Sequence, residues 1–454
     1  MKKLPIDAVL DDVKDRLRTN ATLILQAPPG AGKSTRVPLA LMHEAYLNDK
    51  IIIMLEPRRV AARIVATQMA SLLGESVGES IGYQVKIDSA QSSKTKVLVV
   101  TEAILVRMLQ ADEMLERVGM IIFDEFHERS IHSDLSLALS LQVQELLRED
   151  LKILIMSATL NASALTALLG DVPIVTSEGK SYDVEMNYLD IKTLPLNLKT
   201  INTQLVKTIS HSLKNDEGDI LVFLQGVREI NNLHKSLNDS VKDEAIIICP
   251  LYSALSKNEQ DKALLKSDKR KIILATNIAQ TSLTIEGVRI VVDTGLEKLS
   301  RFHYANAMNH LDSSFISKDS AVQRAGRAGR MSHGKCYRLW HENKVLMQST
   351  KAEILRSDLS SLVLDLSLWG VVAFDELKWL DIPAENILSE TRETLSKLEM
   401  LDAKGKITAF GRDAIKLGVH PRFAYMILKA NTMGYAKEAT LLCAILGERD
   451  VFKN

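Results

Sequence analysis

Cysteine is scarce in this chain of 454 residues, and its three cysteines lie far apart in the sequence. Cys249, Cys336 and Cys443 form no C-x-x-C pair and have no clustered histidines beside them. Disulfide-stapled secreted domains and structural zinc sites both need closely organised cysteines. We therefore expect neither a disulfide framework nor a structural metal, and a reducing compartment.

Long hydrophobic runs are also missing. No stretch approaches the ~18 apolar residues that a membrane-spanning helix needs. The first residues, MKKLPIDAVLDDVKDRL, carry two lysines but then acidic residues in place of the apolar centre of a signal peptide. The sequence therefore predicts a cytoplasmic protein without a membrane span.

Neither sign of charge is in excess, since 57 Lys and Arg residues balance 57 Asp and Glu residues. An apolar content of 46% and a charged content of 25% are typical of a soluble globular protein. The length allows two to four domains. Any surface that binds nucleic acid must therefore be local, such as a cleft, because net charge gives no sign of it.

Short runs rich in Ile, Val and Leu recur along the chain in two separate sets. Continuous apolar runs are typical of strands buried on both faces, so each set predicts a parallel sheet covered by helices. Helical patterns such as Arg59–Leu73 and Ser133–Leu147 lie between some runs. The first set comprises residues 51–55, 97–100, 120–123 and 152–156, and the second comprises residues 220–224, 245–248, 272–275 and 290–292.

The segment 27–35 reads APPGAGKST, follows an apolar run and precedes a predicted helix. Its spacing is that of a phosphate-binding loop with alanine in place of the usual first glycine. Glycines let successive N–H groups point at phosphate oxygens, and a helix N-terminus adds positive potential. An ordinary Gly/Pro turn is the alternative, although the strand in front favours a nucleotide site. The predicted ATP-binding residues are Pro29, Gly30, Ala31, Gly32, Lys33, Ser34 and Thr35.

An acidic pair, Asp124-Glu125, follows the apolar run at residues 120–123. Side chains at the C-terminal edge of a parallel sheet face the crevice in which ligands bind. We assign Mg²⁺ to Ser34, Asp124 and Glu125, and we expect Glu125 also to orient and deprotonate the attacking water. For the pair alone, the start of a capped helix is the alternative.

The second set of runs is followed by QRAGRAGR at residues 323–330. Arg324, Arg327 and Arg330 are spaced three apart, which brings them near one face of a helix. Guanidinium groups stabilise the negative charge that spreads during phosphoryl transfer. A solvated basic helix or a plain nucleic-acid patch is the alternative, whereas the interleaved glycines permit a close approach to a ligand.

Six motifs stand in the order found in one family. They are APPGAGKST (27–35), EPRRVAAR (56–63), DEFH (124–127), SATL (157–160), ATNIAQTSLTI (275–285) and QRAGRAGR (323–330). The chain resembles, over essentially its whole length, the DEAH/RHA family of superfamily 2 helicases. The resemblance implies an ATP-dependent helicase or translocase that uses Mg²⁺ and moves along single-stranded nucleic acid, with RNA as the expected strand.

The resemblance also implies roles for individual residues. Gln323 would contact the γ-phosphate or the water, Arg327 and Arg330 would act as arginine fingers, and Arg324 would be structural. His127 would couple hydrolysis to the second sheet, although a strand-end histidine satisfied by its neighbours is the alternative. The coupling residues that relay the nucleotide state would be Ser157 and Thr159.

For nucleic acid, the resemblance implies contacts to the sugar-phosphate backbone, which position a strand without reading its bases. The arginines of EPRR could instead be surface charges at the start of a helix. Residues 296–317 correspond to a β-hairpin that separates strands in relatives, and its aromatic residues could stack on bases or pack in a core. The implied backbone contacts are Arg58, Arg59, Thr101, Thr281 and Ser282.

The expected fold is α/β: two tandem RecA-like parallel-sheet lobes, a winged-helix-like module and the start of a helical, ratchet-like domain. We place ATP-binding lobe 1 at residues 1–178, lobe 2 at 179–350, the module at 351–418 and the helical part at 419–454. Within these last parts we predict helices at 353–369, 391–403 and 411–417, a strand at 405–408 and helix from Pro421 onward. Relatives are longer, so we expect the chain to end inside the helical domain.

Three positions depart from the family pattern without removing a phosphate or metal ligand. Phe126 replaces the Ala of DEAH, Gln280 stands where Glu is usual, and Gln225 stands where Pro is common. A clamp that grips nucleic acid without moving, or a form that hydrolyses ATP with little unwinding, is the alternative function. A P-loop kinase or transporter would not need QRAGRAGR in a second lobe. We expect a monomer, although the sequence does not fix the oligomeric state.

Overall fold

The computed structural model describes residues 3–158, 162–179, 182–190, 198–280, 285–303, 308–330 and 332–447. Two parallel sheets follow each other along the chain, and a helical C-terminal region comes after them. The expected α/β architecture with two sheet-based lobes is confirmed. Within the described ranges, none of the helices combines the length and the apolar character that crossing a membrane requires.

Lobe 1 is built on an eight-stranded sheet with the order β4-β3-β5-β2-β6-β7-β1-β8. All neighbouring strands run parallel except the edge pair β3 and β4. The central strands are buried on both faces, which explains their continuous apolar runs. The strands are β1 Thr22–Gln26, β2 Ile51–Glu56, β3 Ile81–Val85, β4 Asp88–Ala90, β5 Val97–Thr101, β6 Val118–Phe123, β7 Lys152–Ser157 and β8 Ile174–Thr176.

Helices cover both faces of this sheet and bury two separate apolar clusters against it. The predicted helix Arg59–Leu73 has the observed bounds, since Gly74 at φ +76° ends it. The helix predicted from Ser133 begins two residues earlier, because the Ser130 hydroxyl caps it by accepting from the Ser133 amide at 3.0 Å. The helices are α1 Leu10–Thr19, α2 Lys33–Leu41, α3 Arg59–Leu73, α4 Glu102–Ala111, α5 Ile131–Leu146 and α6 Ala162–Leu169.

Lobe 2 repeats the design with a six-stranded, all-parallel sheet of order β11-β12-β10-β13-β16-β9. A separate antiparallel hairpin, β14 with β15, projects between β13 and α10. The strands are β9 Val184–Tyr188, β10 Asp219–Phe223, β11 Ile246–Leu251, β12 Arg270–Ala275, β13 Val288–Asp293, β14 Leu296–His303, β15 Met308–Phe315 and β16 Gly334–Arg338. The helices are α7 Leu198–Asn215, α8 Val227–Ser240, α9 Lys257–Leu264 and α10 Lys318–Gly326.

The C-terminal region (residues 351–447) packs on lobe 1. One apolar cluster runs from the lobe 1 sheet and α4 into the C-terminal helices, so the two parts share a core. Polar contacts add to it: the Trp369 indole donates to Gln142 at 2.6 Å, and Arg129 pairs with Asp381 at 2.7 Å. The helices are α11 Ser360–Trp369, α12 Glu385–Lys397, α13 Ala409–Lys416, α14 Pro421–Thr432 and α15 Ala436–Gly447.

Three predicted boundaries in this region are wrong. The helix predicted at 353–369 is a short 3-10 turn, Glu353–Leu355, followed by α11. The helix predicted at 391–403 begins six residues earlier and stops at Lys397, since Glu399 takes a left-handed φ of +59°. The strand predicted at 405–408 is reduced to one antiparallel bridge between Leu401 and Ile407.

Candidate nucleotide cleft and nucleic-acid surface

The predicted phosphate loop connects β1 to α2 and requires glycine at its last position. Gly32 takes φ +93° and directly precedes Lys33, the first residue of α2. The left-handed φ disfavours any other residue, and a Cβ at Gly32 would lie 2.6 Å from the tip of the Leu4 side chain, which would have to move. The loop therefore delivers the Lys33 side chain and the N-terminus of α2 to the same point.

Lys33 is buried at the C-terminal edge of the sheet, against the predicted acidic pair. Its Nζ lies 2.8 Å from Glu125 Oε1 and 3.6 Å from Asp124 Oδ1. Burial alone would lower the pKa of the Lys33 ammonium, but Asp124 and then Glu125 raise it above its ordinary value. Burial would likewise raise the pKa of Glu125, yet Lys33 and then His127 hold it at about 2. Lys33 and Glu125 are therefore an ion pair at neutral pH.

Asp124 offers an atom that suits a divalent cation. Its Oδ1 accepts from the Glu125 amide at 2.8 Å, whereas its buried Oδ2 has no hydrogen-bond partner among the described residues. Burial raises the pKa of Asp124, while Lys33 and a hydrogen bond from Ser34 act in the opposite direction. A hydroxyl beside a carboxylate at a phosphate loop fits Mg²⁺, which needs only one or two carboxylates besides phosphates and water. The described residues contain no cluster of three or more His, Cys, Asp or Glu side chains that could hold a metal by themselves.

A third carboxylate at this edge was missed by sequence reasoning. Glu56 ends β2 and is fully buried, and neither of its oxygens has a hydrogen-bond partner in the described part of the chain. Burial, followed by the charges of Asp124 and Glu125, raises its pKa well above the ordinary value. A signal was present, because Glu56 follows an apolar run just as Asp124 does.

His127 links the acidic pair to the end of β7. Its Nδ1 lies 3.5 Å from Glu125 Oε2 and 3.4 Å from Ser157 Oγ. The predicted coupling residue Ser157 is thus one side chain away from the predicted base. Its partner in the prediction, Thr159, lies outside the described residues.

Lobe 2 brings α10 and the turn after it to the same cleft. Gln323 is on α10, Arg327 is at its C-cap, and Arg330 follows. A Cβ at Gly30 of the phosphate loop would lie 3.6 Å from Arg330 Nε, so this arginine reaches across to lobe 1. Glu125 acts electrostatically on both Arg327 and Arg330, which brings the predicted fingers and the predicted base together.

Burial of two neighbouring guanidinium groups has an electrostatic cost. Burial lowers the pKa of Arg330 to about 10, with Glu125 opposing. Burial and then the charge of Arg330 lower the pKa of Arg327 well below its ordinary value. Arginine keeps its charge in proteins, so both remain cations. A bound anion would offset this cost.

Arg324, from the same motif, has a different environment. It is fully buried, forms an ion pair with Asp293 at 3.0 Å and lies 4.9 Å above the Phe223 ring. Its Nε donates to Gln280 Oε1 at 3.2 Å. These contacts hold α10 on the sheet of lobe 2, which is a structural function.

The predicted nucleic-acid residues lie on a different surface. Arg59 and Thr101 line a cleft of about 750 Å³ between lobe 1 and the C-terminal region, together with Lys86, Arg107 and Lys416. Each of these five side chains is basic or carries a hydroxyl, which suits contact with phosphate oxygens. Thr281 and Ser282, as well as Tyr304 of the hairpin, lie outside the described residues.

Arg58 lies elsewhere and joins the two lobes. Its Nη2 donates to both carboxylate oxygens of Glu128 at 3.2 Å, and its Nη1 donates to the Asn277 carbonyl in lobe 2. Its neighbours on α3 reinforce this contact, since Ala61 belongs to an apolar cluster of lobe 2. The predicted contact of Arg58 with nucleic acid would require it to leave these partners.

The hairpin predicted at 296–317 is present, and the second half of its first strand contacts the C-terminal region. The Arg356 guanidinium donates to the Ser300 carbonyl at 2.8 Å, and Arg422 lies 5.7 Å from the Phe302 ring. Phe315 is 42% exposed, and the Lys344 ammonium lies 4.0 Å from its ring. Neither aromatic residue is fully buried, so the core-packing alternative does not hold for Phe315.

Comparisons with known proteins agree with this architecture. Residues 10–168 match the DEAD/DEAH box helicase family, and residues 201–332 match the helicase conserved C-terminal domain. The chain is 42% identical over 452 residues to the ATP-dependent RNA helicase HrpB of Escherichia coli, covering 99% of this chain and 55% of that protein. It is 33% identical to the probable ATP-dependent RNA helicase DHR2 of Saccharomyces cerevisiae, covering 99% of this chain and 63% of the relative.

Solved structures show the same likeness. A crystal structure of Escherichia coli DEAH/RHA helicase HrpB superimposes with a TM-score of 0.92 at 40% identity, covering 99% of this chain and 57% of that one. The chain therefore spans little more than half the length of the HrpB protein it matches. With both helicase domains present and the fold matched, the chain belongs to the DEAD/DEAH box helicases and, among them, to the DEAH/RHA family.

Proposed function

We propose that this chain hydrolyses ATP in the cleft between its two lobes and uses the resulting motion to travel along single-stranded RNA. The observation that supports this most directly is the approach of Arg330 to Gly30, with Glu125 acting on both Arg327 and Arg330. Cations from one lobe and a phosphate loop from the other form a composite pocket. Such a pocket suits the charge distribution of phosphoryl transfer.

Lys33 is the residue that must change partner for this reaction. Paired with Glu125 at 2.8 Å, it is not yet directed at a phosphate. When a triphosphate enters, Lys33 exchanges the carboxylate for phosphate oxygens, and Glu125 loses the charge that holds its pKa low. A higher pKa makes Glu125 a better base for the attacking water. Ser34 and Asp124 would hold Mg²⁺, which would supply positive charge beside the phosphate oxygens.

His127 and Arg58 are the proposed links between hydrolysis and lobe movement. His127 contacts both Glu125 and Ser157, so a change in the charge or position of Glu125 alters the contact of His127 with Ser157 at the end of β7. Arg58 joins Glu128, which is next to His127, to the Asn277 carbonyl of lobe 2. Opening of the cleft breaks this bridge, and Arg58 then becomes available for a strand.

The cleft that contains Arg59 and Thr101 is the proposed path of the strand. Its basic residues come from both lobe 1 and the C-terminal region, and they suit backbone phosphates rather than base edges. The relatives named as RNA helicases support RNA over DNA as the strand. We place the working units as lobe 1 (1–178), lobe 2 (179–350) and a C-terminal region that completes this path.

The test is the ATPase rate of this chain with single-stranded RNA, with single-stranded DNA and with neither. We expect a basal rate that rises several-fold with RNA and less with DNA. The variant Glu125→Gln provides the zero-activity control, and Glu113→Gln, an exposed change in the same lobe, provides the matched control. A chain that is folded but hydrolyses no ATP under any of these conditions would contradict the proposal.

A further inference from the structure

Gln280 is the centre of a polar network that sequence analysis noted only as a departure from the family. Its Nε2 donates to Ser320 Oγ and to Gln323 Oε1, both at 3.1 Å. Its Oε1 accepts from Arg324 Nε at 3.2 Å, and its backbone carbonyl accepts from Arg327 Nε at 2.9 Å. One residue therefore contacts Ser320, Gln323 and Arg324 of α10, and Arg327 at its C-cap.

The orientation of the Gln280 amide is fixed by Arg324. A guanidinium only donates hydrogen bonds, so the group that faces Arg324 Nε must be the Gln280 carbonyl oxygen. Arg324 cannot turn away, because it is fully buried, paired with Asp293 at 3.0 Å and stacked on Phe223. The amide nitrogen of Gln280 must then face Ser320 and Gln323.

This orientation passes on to Gln323. Since Gln280 presents a donor, Gln323 must present its carbonyl oxygen to it, as the 3.1 Å contact shows. The NH₂ group of Gln323 lies in the same amide plane as this oxygen and then points away from the Gln280 amide. Gln323 lies one turn before Arg327 on α10, so it shares the side that carries the fingers.

We propose that Gln280 is a positioning residue that sets the Gln323 amide so that it offers N–H groups to the γ-phosphate oxygens, and not a carbonyl to the attacking water. The inference rests on the proposed nucleotide cleft. It decides between the two roles that the sequence left open for Gln323. It also assigns a function to a position where the family usually has glutamate.

Glutamate at this position would reverse the arrangement. A carboxylate accepts at both oxygens, so it would keep the contact with Arg324 but would repel the Gln323 carbonyl. Gln323 would turn over to donate to it, and its carbonyl oxygen would face the cleft. The two side chains therefore predict opposite preferences for a γ-phosphate.

The test compares binding of fluorescent ADP with binding of a fluorescent, non-hydrolysable ATP analogue, both with Mg²⁺. We expect the parent chain to prefer the triphosphate, and Gln280→Glu to lose about fivefold of that preference, as one lost hydrogen bond would. The affinity for ADP should stay within about twofold, since the phosphate loop is untouched. Gln204→Glu, the same change on α7 of lobe 2, should alter neither value.

A second pair of variants separates positioning from simple loss of structure. Gln323→Leu removes the donor itself and should show the same fivefold loss, and Gln280→Glu combined with it should lose no more. If Gln280→Glu does not fold, Gln280→Met, which adds no charge, replaces it and should show a loss in the same direction.

The outcomes are distinguishable from failure of the proposed function. A folded parent chain that binds neither nucleotide would contradict the nucleotide cleft itself. A parent that binds both, with an unchanged triphosphate preference in Gln280→Glu or fully additive losses in the double variant, would overturn the role of Gln280 while leaving the cleft intact.

Discussion

The two lobes have similar sheets but opposite charges at the cleft. Lobe 1 brings three buried carboxylates, Glu56, Asp124 and Glu125, to one lysine, Lys33. Lobe 2 brings Arg327 and Arg330, whose guanidinium groups are costly to bury side by side. Lobe 1 therefore presents mainly acidic side chains, and lobe 2 basic ones, at the surfaces that face each other. The difference indicates that duplication of a fold need not duplicate a site, because the chemistry lies in a few residues at the strand ends and helix ends.

Within lobe 2, the arginines of QRAGRAGR have different roles, because one stabilises its own lobe and another faces the other lobe. Arg324 is held by Asp293, Phe223 and Gln280, all from its own lobe, whereas Arg330 reaches Gly30 of the other lobe. Spacing of three residues does not make these arginines equivalent. Arg324 lies on α10 and points into the lobe, whereas Arg330 lies beyond the end of α10 at Gly326 and reaches across the cleft, so the three arginines do not share one helix face as the spacing predicted.

The largest expected effect comes from the lysine of lobe 1. Lys33→Ala should reduce ATP turnover by at least about 10³-fold, because it removes the phosphate contact and leaves Asp124 and Glu125 without their counterion. Steady-state ATPase assays measure the loss. Lys50→Ala removes a half-exposed ion pair with Asp150 in the same lobe and should change turnover less than twofold. Turnover within tenfold of the parent in Lys33→Ala would place the site elsewhere.

The next effect concerns stability in lobe 2. Arg324→Met should lower the free energy of unfolding by about 3 kcal/mol, since it leaves the buried Asp293 carboxylate without its cationic partner. Urea denaturation, followed by fluorescence, measures it. The control is Arg289→Met, which breaks an exposed ion pair with Glu217 and should cost less than about 1 kcal/mol. Equal losses in the two variants would contradict the structural role of Arg324.

Sequence alone predicted the parts of the fold that depend on local pattern. Buried strands appear as continuous apolar runs, and the end of α3 follows from Gly74. The start of α12 was missed because its N-cap, Ala384, carries no capping side chain, and its end was missed because Glu399 adopts a left-handed conformation. The packing of α11 against lobe 1 could not be predicted from the sequence either, since an apolar helix face does not identify the surface on which it packs.

For the site, sequence could indicate residues but not their partners. Motif order grouped Lys33, Asp124 and Arg330 as a hypothesis, and those assignments remain predictions for the experiments above. Glu56 and Gln280 were not assigned a function from the sequence, because each acts on a residue far away along the chain. Glu56 interacts with Asp124, 68 positions away, and Gln280 donates to Gln323, 43 positions away. Such contacts exist only once the sheets and helices have formed.

The third effect separates activity from stability. Arg330→Ala should lower turnover by about 10²-fold, equivalent to about 2.7 kcal/mol in the barrier, while leaving the unfolding temperature unchanged or slightly higher. We expect no decrease in the unfolding temperature because burial in the folded chain disfavours the charged form of Arg330 and lowers its pKa to about 10. Removing the side chain therefore removes an unfavourable buried charge. ATPase assays and thermal melts on the same sample give both values. A large loss of stability with Arg330→Ala would mean that Arg330, like Arg324, has a structural role.

The smallest expected effect concerns a buried carboxyl group of lobe 1 that lies outside the nucleotide cleft. Glu102 begins α4, contacts the Ser130 hydroxyl and has a pKa raised to about 8, mainly by burial. An unfolded glutamate has a pKa of about 4.3, so between these values only the folded chain binds the proton. Stability should therefore fall as pH rises from about 5 to 8.

Glu102→Gln removes this titration and should be more stable than the parent by roughly 1–2 kcal/mol at pH 8, with no such gain at pH 4.5. Thermal melts across this pH range measure the difference, and the exposed Glu113→Gln should follow the parent curve. In lobe 2 the corresponding raised carboxyl, Glu297, is opposed by Arg324, so Glu297→Gln should give a smaller gain. Parallel curves for Glu102→Gln and the parent would mean that the charge excess of lobe 1 is confined to the nucleotide cleft.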